Sequence, residues 1–173
     1  MAQEERREPQ YPPNAAHLMR TTQLAQVQFS AMADHKASIL MGATFVIFTI
    51  TIGKAQGATA PLPLLILGGA SFISAIFAIL AVLPATGGSG RPTEKDNLLF
   101  FGVFTGYSED EFVEQITGRL ASDDKIYRTM ARDIHQAGSV LKRKKYRMLR
   151  YAYTTLLAGL VASGIAYLVL YLT

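Results

Sequence analysis

Two lysines interrupt otherwise apolar helical patterns, and they are the positions where ligand chemistry is most readily built. Lys36 is the only charge in one pattern of alternating three- and four-residue spacing, and Lys144 is the only charge in another. If the two helices pack in parallel, both ammonium groups could point into one space, where a phosphate would relieve their repulsion. Asp34 and Asp133 flank these patterns and could fix the lysines or accept a hydrogen bond from a sugar or base. The alternative is that both lysines extend to lipid headgroups or pair with the aspartates.

A basic run and several aromatic residues offer further ligand contacts. The run 142–145, with Arg147 and Arg150, immediately precedes an apolar stretch, so it is also typical of a topogenic stop that contacts anionic lipid. Aromatic side chains could stack on a base, although near a membrane they also serve in cores and interfacial belts. The candidates for stacking are Phe100, Phe101, Tyr107, Tyr127 and Tyr146.

Catalytic patterns are weak in this chain. The sequence has no Cys, no nucleophile-elbow motif and no phosphate-binding glycine loop. His17 and His35 lie about 27 Å apart if they share one helix, and with His135 they lack metal-ligand spacing. We therefore predict that the protein is not an enzyme and needs no cofactor or metal.

Three stretches without a charged residue, 37–53, 61–84 and 151–173, indicate an integral membrane protein. Each approaches or exceeds the ~20 apolar residues that cross a hydrocarbon core. Only Lys54, of 17 Lys and Arg residues, then falls on the far side of the membrane. The positive-inside rule places the N-terminus in the cytoplasm and the C-terminus on the opposite side of the membrane. All 13 acidic residues share the cytoplasmic side, so topology explains the basic excess and no nucleic-acid partner is predicted.

The predicted organisation is an all-α membrane protein with three transmembrane helices. The first and third spans are continuous with long cytoplasmic helices, and a small, mainly helical cytoplasmic domain is added. The segments are a disordered tail (1–13), a cytoplasmic helix (14–38), the first span (39–53), an external loop (54–60), the second span (61–84), a linker (85–96), the cytoplasmic domain (97–150) and the third span (151–173).

Two heptad-like seams and two small-residue ridges predict how these helices associate. The first seam is Leu18, Thr22, Ala25, Phe29, Met32, Lys36 and Ile39; the second is Tyr127, Met130, Ile134, Ala137, Leu141, Lys144, Met148 and Tyr151. The ridges are Ala70, Ser74 and Ala78 in the second span, and Ala158, Ala162 and Ala166 in the third. We expect the seams to pack side by side, within one chain or between chains, and the protein to form a homo-oligomer.

The cytoplasmic domain contains clear helix starts and one ambiguous aromatic segment. Ser108 with Glu111 forms a capping box, and Ser122 begins a further helix. The segment 97–106 is apolar and aromatic but too short to cross a bilayer, so we expect a packed strand or an interfacial loop.

Several motifs in fixed order resemble the membrane domain of Pycsar effectors, called PycTM. They are residues 18–42 (LMRTTQLAQVQFSAMADHKASILMG), residues 97–102 (NLLFFG), and the run from Met130 to Asp133 (MARD) through 140–146 (VLKRKKY) to Tyr151. The resemblance covers nearly everything after Asn14, and its most specific part is residues 33–37 (ADHKA). The matching motif positions are Asp34, Lys36, Asn97, Phe100, Phe101, Asp133, Lys145 and Tyr146.

The resemblance implies a bacterial antiphage role. In such a system a partner pyrimidine cyclase makes cyclic UMP (cUMP) or cyclic CMP (cCMP) after infection, and the effector impairs the inner membrane. This chain has no recognisable cyclic-nucleotide-binding barrel, so the ligand site would be built from the cytoplasmic domain and the seams. The hypothesis places the phosphate on Lys36 or Lys144, and the base against a Phe or Tyr ring.

Two alternatives remain open at this stage. One is a ligand-independent oligomeric membrane scaffold whose seams bind a partner protein. The other is a membrane-tethered phosphodiesterase or nucleotide hydrolase that uses the Asp and His pairs around Asp34 and Asp133.

Overall fold

The computed structural model describes residues 10–55, 61–84, 93 and 96–172. The predicted tail (1–13), external loop (54–60) and linker (85–96) lie largely outside the described residues. The elements are α1 (Ala15–Ala55), α2 (Leu62–Val82), α3 (Phe101–Phe104), α4 (Glu109–Arg119), α5 (Asp123–Val140), a π-helix termed π1 (Leu141–Tyr146) and α6 (Arg147–Leu172). Helices make up 86% of the described residues, and no strand occurs among them, which confirms an all-α fold.

Among the described residues, three helical segments are long and apolar enough to cross a membrane. They are Ala15–Ala55, Leu62–Val82 and Asp123–Leu172, of 41, 21 and 50 residues. A crossing needs only ~20 residues, so the first and third segments extend well beyond a hydrocarbon core, as the sequence predicts.

The chain divides into two compact units, formed by residues 1–28 with 84–139 and by residues 29–83 with 140–173. In the first unit, the predicted capping box is confirmed: Ser108 accepts a hydrogen bond from the Glu111 amide, and the Glu111 carboxylate accepts one from the Ser108 amide. The Ser122 hydroxyl likewise accepts a bond from the Lys125 amide near the start of α5. Local capping chemistry therefore sets the starts of α4 and α5.

The aromatic segment 97–106 is not the strand that we considered; it consists of turns around the four-residue helix α3, Phe101–Phe104, and its position at a membrane interface stays a prediction. The Asn97 side-chain oxygen accepts a bond from the Leu99 amide, and a turn then leads into α3. The carbonyl of Phe100 accepts bonds from the Val103 and Phe104 amides, which starts the helical hydrogen bonding. An Asx-type turn competes effectively with extended structure because it satisfies backbone donors locally.

The second unit contains a close-packed three-helix core of small residues. Its two layers each take one residue from α1, α2 and α6: Ala37, Ala81 and Leu149 in one, and Leu40, Ala78 and Ala152 in the other. On α2, the predicted ridge is confirmed by the complete burial of Ser74 and Ala78. Pro61 and Pro63 stand at the start of α2, where the missing amide hydrogens cost little.

The first seam has the predicted spacing but lies one residue out of register on α1. The buried positions are Ala33, Ala37, Leu40 and Thr44, whereas the predicted Met32 and Ile39 are 43% and 58% exposed. Small side chains occupy most of these positions. Between membrane helices, close approach of the backbones contributes more to packing than the burial of large apolar groups.

On α6, the buried positions are also shifted by one residue from the predicted second seam and second ridge. Leu149 and Ala152 are buried, whereas Met148 is half-buried and Tyr151 is exposed. Further along, the buried position is Gly159. The predicted Ala158 and Ala162 face outward, and Ala166 is half-buried. The π-helix π1 explains the change, because its i→i+5 hydrogen bonds insert about one extra residue into the turn between Leu141 and Leu149.

Candidate functional site

Lys145 is the basic residue that π1 directs towards α1. Its ammonium donates to both oxygens of Asp34, at 2.7 and 2.6 Å, and to the Ser30 hydroxyl at 2.8 Å. The side chains of Lys145 and Asp34 are 20% and 38% exposed, so the pair is partly shielded from water. Lys145 therefore has two acceptor residues on α1, Asp34 and Ser30. An incoming anion would be able to take the place of one of them, because the ammonium also forms charge-assisted hydrogen bonds with other anions.

The neighbouring predicted lysines lie elsewhere on their helices. Lys144 is half-buried and precedes Lys145 in π1, whereas Lys36 is exposed on α1. The Lys36 carbonyl accepts a long hydrogen bond, 3.5 Å, from the Tyr153 hydroxyl. The convergence of Lys36 and Lys144 in one space stays a prediction. Sequence reasoning selected Lys144 for the seam because it assumed α-helical periodicity, whereas π1 moves that role to Lys145.

A second polar cluster lies in the first unit, around Asp133. One Asp133 oxygen accepts a bond from the Asn97 amide at 2.6 Å, and the other accepts one from the Gln23 amide at 2.8 Å. Gln26, one turn later on α1, donates to the Ile134 carbonyl at 2.9 Å. The cluster joins α1, α5 and the turn before α3, so it positions these elements. Asn97, at 8% exposure, is the most buried of its polar members.

Sequence reasoning missed Gln23, Gln26 and Ser30, although it selected Asp34, Asn97 and Asp133. Their only available signal is helical spacing: Gln23, Gln26 and Ser30 follow one another at three- and four-residue steps on α1. Ser30 lies one turn before Asp34, which places both on the same face of the helix. The missed residues therefore form the polar face that lies beside the predicted apolar seam.

The aromatic candidates divide between the two units. In the first, the Phe100 and Phe101 rings are tilted against each other with centroids 4.8 Å apart, and Phe101 remains 58% exposed. In the second, Tyr146 directly follows Lys145 and is 36% exposed. An exposed ring face of this kind is able to stack on a nucleobase.

A charged triad lies at the start of α5 in the first unit. Asp124 accepts bonds from the Arg128 guanidinium at 2.6 Å and from the Tyr11 hydroxyl at 2.8 Å. The bonds from Arg128 and then Tyr11 hold the pKa of the Asp124 carboxyl below its usual value. The same bond to Asp124 raises the pKa of the Tyr11 phenol. The triad ties the segment before α1 to the start of α5.

In the described parts of the chain, no group of three or more His, Cys, Asp or Glu side chains comes together in a way that could hold a metal ion. A 420 Å³ open groove runs between the start of α2 and the end of α6, beside Pro61, Leu160 and Tyr167. Its lining is almost entirely apolar, and the Ser163 hydroxyl within it already donates to the Pro63 carbonyl.

The chain was compared with known proteins. The family model PycTM, described as the Pycsar effector protein domain, matches residues 17–171. No curated protein and no solved structure matches the chain significantly.

Proposed function

Because this chain belongs to the PycTM family of Pycsar effectors, we propose that it is a membrane effector of a cyclic-pyrimidine-nucleotide antiphage system. In this proposal it binds cUMP or cCMP, made by a partner pyrimidine cyclase, and then impairs the integrity of the bacterial inner membrane. The family match supports the class of function. The single observation that supports the ligand site is the contact of Lys145 with Asp34 and Ser30.

The phosphate of the cyclic nucleotide would bind Lys145 in place of Asp34. A cyclic phosphate diester carries one negative charge and two free oxygens, so it resembles the carboxylate that Lys145 already holds. The Ser30 hydroxyl would supply one further hydrogen bond, Lys144 would add positive charge, and the ring of Tyr146 would stack on the base. Asp34 would then lose its cation, and a partly shielded carboxylate without a partner is unfavourable.

Such an exchange would alter how α6 packs within the second unit. The Lys145–Asp34 pair and the Tyr153–Lys36 bond both link α1 to the π1–α6 segment. Loss of the ion pair would remove one of these links at the end of the small-residue core. The mechanism therefore converts a change of anion at Lys145 into a change of helix packing among the spans.

The energetics favour several sites acting together. Moving an equilibrium from 1:99 to 99:1 requires about 5.5 kcal/mol of differential binding. A partly exposed ion pair contributes only about 0–1 kcal/mol, so one exchange falls well short. Even at about 1 kcal/mol per site, a homo-oligomer would need about six or more equivalent sites that switch together to meet the requirement. The exposed first-seam residues Leu18, Phe29, Met32 and Ile39, at 43–66% exposure, support self-association because their 3.5-residue period suits a helical partner.

All but one of the remaining site predictions belong to the first unit; Lys36 belongs to the second. Asn97, Phe100, Phe101 and Asp133 stay predicted ligand positions, and the exposed Phe101 ring is the one best suited to a base. Lys36 also stays a predicted phosphate contact. The proposed topology places the N-terminus and the basic run 142–145 in the cytoplasm, where a nucleotide signal is made, and the C-terminus outside.

Calorimetric titration of the detergent-solubilised protein with cUMP, cCMP, cyclic AMP and cyclic GMP tests the proposal. We expect a cyclic pyrimidine nucleotide to bind and the purine nucleotides to fail. Lys145→Gln should weaken binding at least about tenfold, because a hydrogen bond to a charged group contributes about 1.5–3 kcal/mol. Asp34→Asn should tighten binding, because it removes the competing anion. Lys125→Gln, the same charge change at an exposed residue of α5, is the matched control.

Absence of binding by all four nucleotides would reject the ligand-gated function and favour the scaffold alternative. Equal loss of binding in Lys145→Gln and Lys125→Gln would reject the site while leaving the function intact.

A further inference from the structure

The interior of the second unit is polar in one specific way: it buries hydroxyl groups. Thr44, Ser71 and Ser74 are completely inaccessible to solvent, and Thr51 is 5% exposed. By contrast, the outward faces of the same helices carry large apolar residues such as Phe45, Phe72, Ile73, Leu157 and Leu160. Most side chains buried inside the bundle are therefore small or carry a hydroxyl, with Leu40 and Leu149 as large apolar exceptions, whereas bulky hydrocarbon side chains predominate outside.

Three of these four hydroxyls are satisfied by backbone carbonyls. Thr44 donates to Leu40 at 2.8 Å and Thr51 donates to Ile47 at 2.8 Å, each within α1. Ser74 donates across the bundle to the Ala152 carbonyl of α6 at 2.7 Å.

Ser71 is the exception. Its hydroxyl oxygen is buried and has no hydrogen-bond partner among the described residues. It lies in the middle of the buried stripe of α2, between Gly68 and Ser74. A buried hydroxyl without a partner is unfavourable, and in a hydrocarbon environment no lipid atom compensates for it. Water would satisfy it, so Ser71 gains most if the bundle interior becomes hydrated.

In the arrangement described, helix packing keeps this interior closed. A Cβ atom added at Gly68 would overlap the Thr51 side chain, and one added at Gly159 would overlap Ala70. The helices thus approach to within the size of a methyl group on both sides of α2. The hydroxyl face is available to water only after α2 separates from α1 or α6.

We propose that this hydroxyl face, made by Thr44, Thr51, Ser71 and Ser74, is the lining of the water-filled path through which the effector breaches the membrane. The proposal rests on the membrane-impairing function proposed above and assigns residues to it. A hydrated path requires polar groups along its wall, and on the outward faces of α1 and α2 large apolar residues such as Phe45, Phe72 and Ile73 predominate. Opening would expose Ser71 to the water it lacks in the closed bundle.

The same lining determines what would pass. The stretches 37–53, 61–84 and 151–173 contain no charged residue. A wall of hydroxyls without fixed charge discriminates weakly between cations and anions. The lesion should therefore conduct small ions of both signs, with a reversal potential near zero in an asymmetric salt gradient.

Cysteine accessibility tests the assignment, because the chain has no Cys and each single substitution is the only thiol present. Ser71→Cys and Phe72→Cys are neighbours on α2, one buried in the bundle and the other 51% exposed on its outer face. Each variant is reconstituted into dye-loaded vesicles. Labelling by a membrane-impermeant charged methanethiosulfonate and dye release are measured together, with and without cUMP or cCMP. Thr44→Cys is the second interior variant, in case Ser71→Cys fails to assemble.

The expected result is nucleotide-dependent dye release together with at least tenfold faster labelling of Ser71→Cys or Thr44→Cys, while Phe72→Cys stays unlabelled. Dye release without labelling of either interior cysteine would overturn the assignment and leave the membrane-impairing function standing. Dye release with equal labelling of Phe72→Cys would also overturn it, because the path would not be confined to the hydroxyl face. Absence of nucleotide-dependent dye release by the unsubstituted protein would reject the proposed function, and the assignment with it.

Discussion

The ammonium of Lys145 donates to both carboxylate oxygens of Asp34, at 2.7 and 2.6 Å. The contact depends on backbone geometry, because π1 contains about one residue more than an α-helical turn and so turns Lys145, instead of Lys144, towards α1. The same extra residue places Leu149 and Ala152 in the core. One local irregularity therefore sets both the candidate site and the packing of α6.

Deletion of one residue within π1 should preserve the fold. Removing the exposed Lys142 would convert π1 to an α-helical turn while Lys145 and Leu149 keep their face. We expect the thermal midpoint, followed by circular dichroism in detergent, to change by only a few degrees. Deletion of the exposed Ala131 in α5 is the control, because it turns the residues on one side by about 100° relative to those on the other. Equal destabilisation by both deletions would show that π1 is not a single inserted residue.

The buried serines of α2 should respond differently to loss of their hydroxyls. Ser74→Ala removes the bond to the Ala152 carbonyl and should lower the free energy of unfolding by about 0.5–1.5 kcal/mol. Ser71→Ala removes a buried hydroxyl without a partner among the described residues, so it should be neutral or stabilising. Unfolding in a denaturing detergent titration measures both. A larger loss in Ser71→Ala than in Ser74→Ala would contradict the hydrogen bonding described.

Two glycines of α6 provide a matched test of helix packing. Gly159→Ala would place a methyl group against Ala70 of α2, so α2 and α6 must separate, at a cost of about 1–3 kcal/mol. Gly164→Ala points into open space and should stabilise the helix by up to about 1 kcal/mol. The free energies of unfolding of the two variants, measured in the same denaturing detergent titration, test whether α2 and α6 pack through Gly159. Tolerance of both substitutions would mean that α2 and α6 do not pack through Gly159.

Part of this packing could be predicted from the sequence, and the reasons for the rest are physical. Charge-free length identified the three candidate spans, and the spacing of Ser74 and Ala78 identified the packing ridge of α2. On α1 the three-four spacing was correct, but the apolar residues Met32 and Ile39 were chosen over Ala33 and Leu40. At Ala33 the error comes from applying a rule for helices in water, where large apolar side chains are buried, to helices that pack largely through small ones. Size does not distinguish Leu40 from Ile39, so that choice depends on the register of the whole helix.

The candidate site could be predicted only in part, because its geometry depends on local features that leave no pattern in the sequence. Asp34 was selected because it flanks a seam, and it does hold a lysine. The identity of that lysine depends on π1, and no residue type in 141–146 is specific to π-helical hydrogen bonding. Ser30 was missed because a single hydroxyl on a helix carries no pattern of its own.

The charged triad at the start of α5 predicts a pH dependence of the first unit. Asp124 has its pKa lowered from 3.8 by Arg128 and Tyr11, so its stabilising contribution is fully present above that value and is lost as the pH falls through the lower folded-state pKa. The stability difference between the unsubstituted protein and Asp124→Asn should be constant above about pH 5 and shrink in stronger acid. Hydrogen exchange of the α5 amides measures it, with Asp110→Asn on α4 as the control. The Arg128 side chain is 73% exposed, so the effect should be small and should weaken in salt. A stability difference between the two proteins that grows as the pH falls would contradict the predicted direction of the effect.

Dye release from vesicles that contain only this protein and lipid tests the central claim most directly. The account predicts that cUMP or cCMP releases the dye, that cyclic AMP and cyclic GMP do not, and that Lys145→Gln shifts the response to at least about tenfold higher nucleotide concentration. Vesicles that remain intact with every cyclic nucleotide, although the protein is inserted and folded, would contradict it.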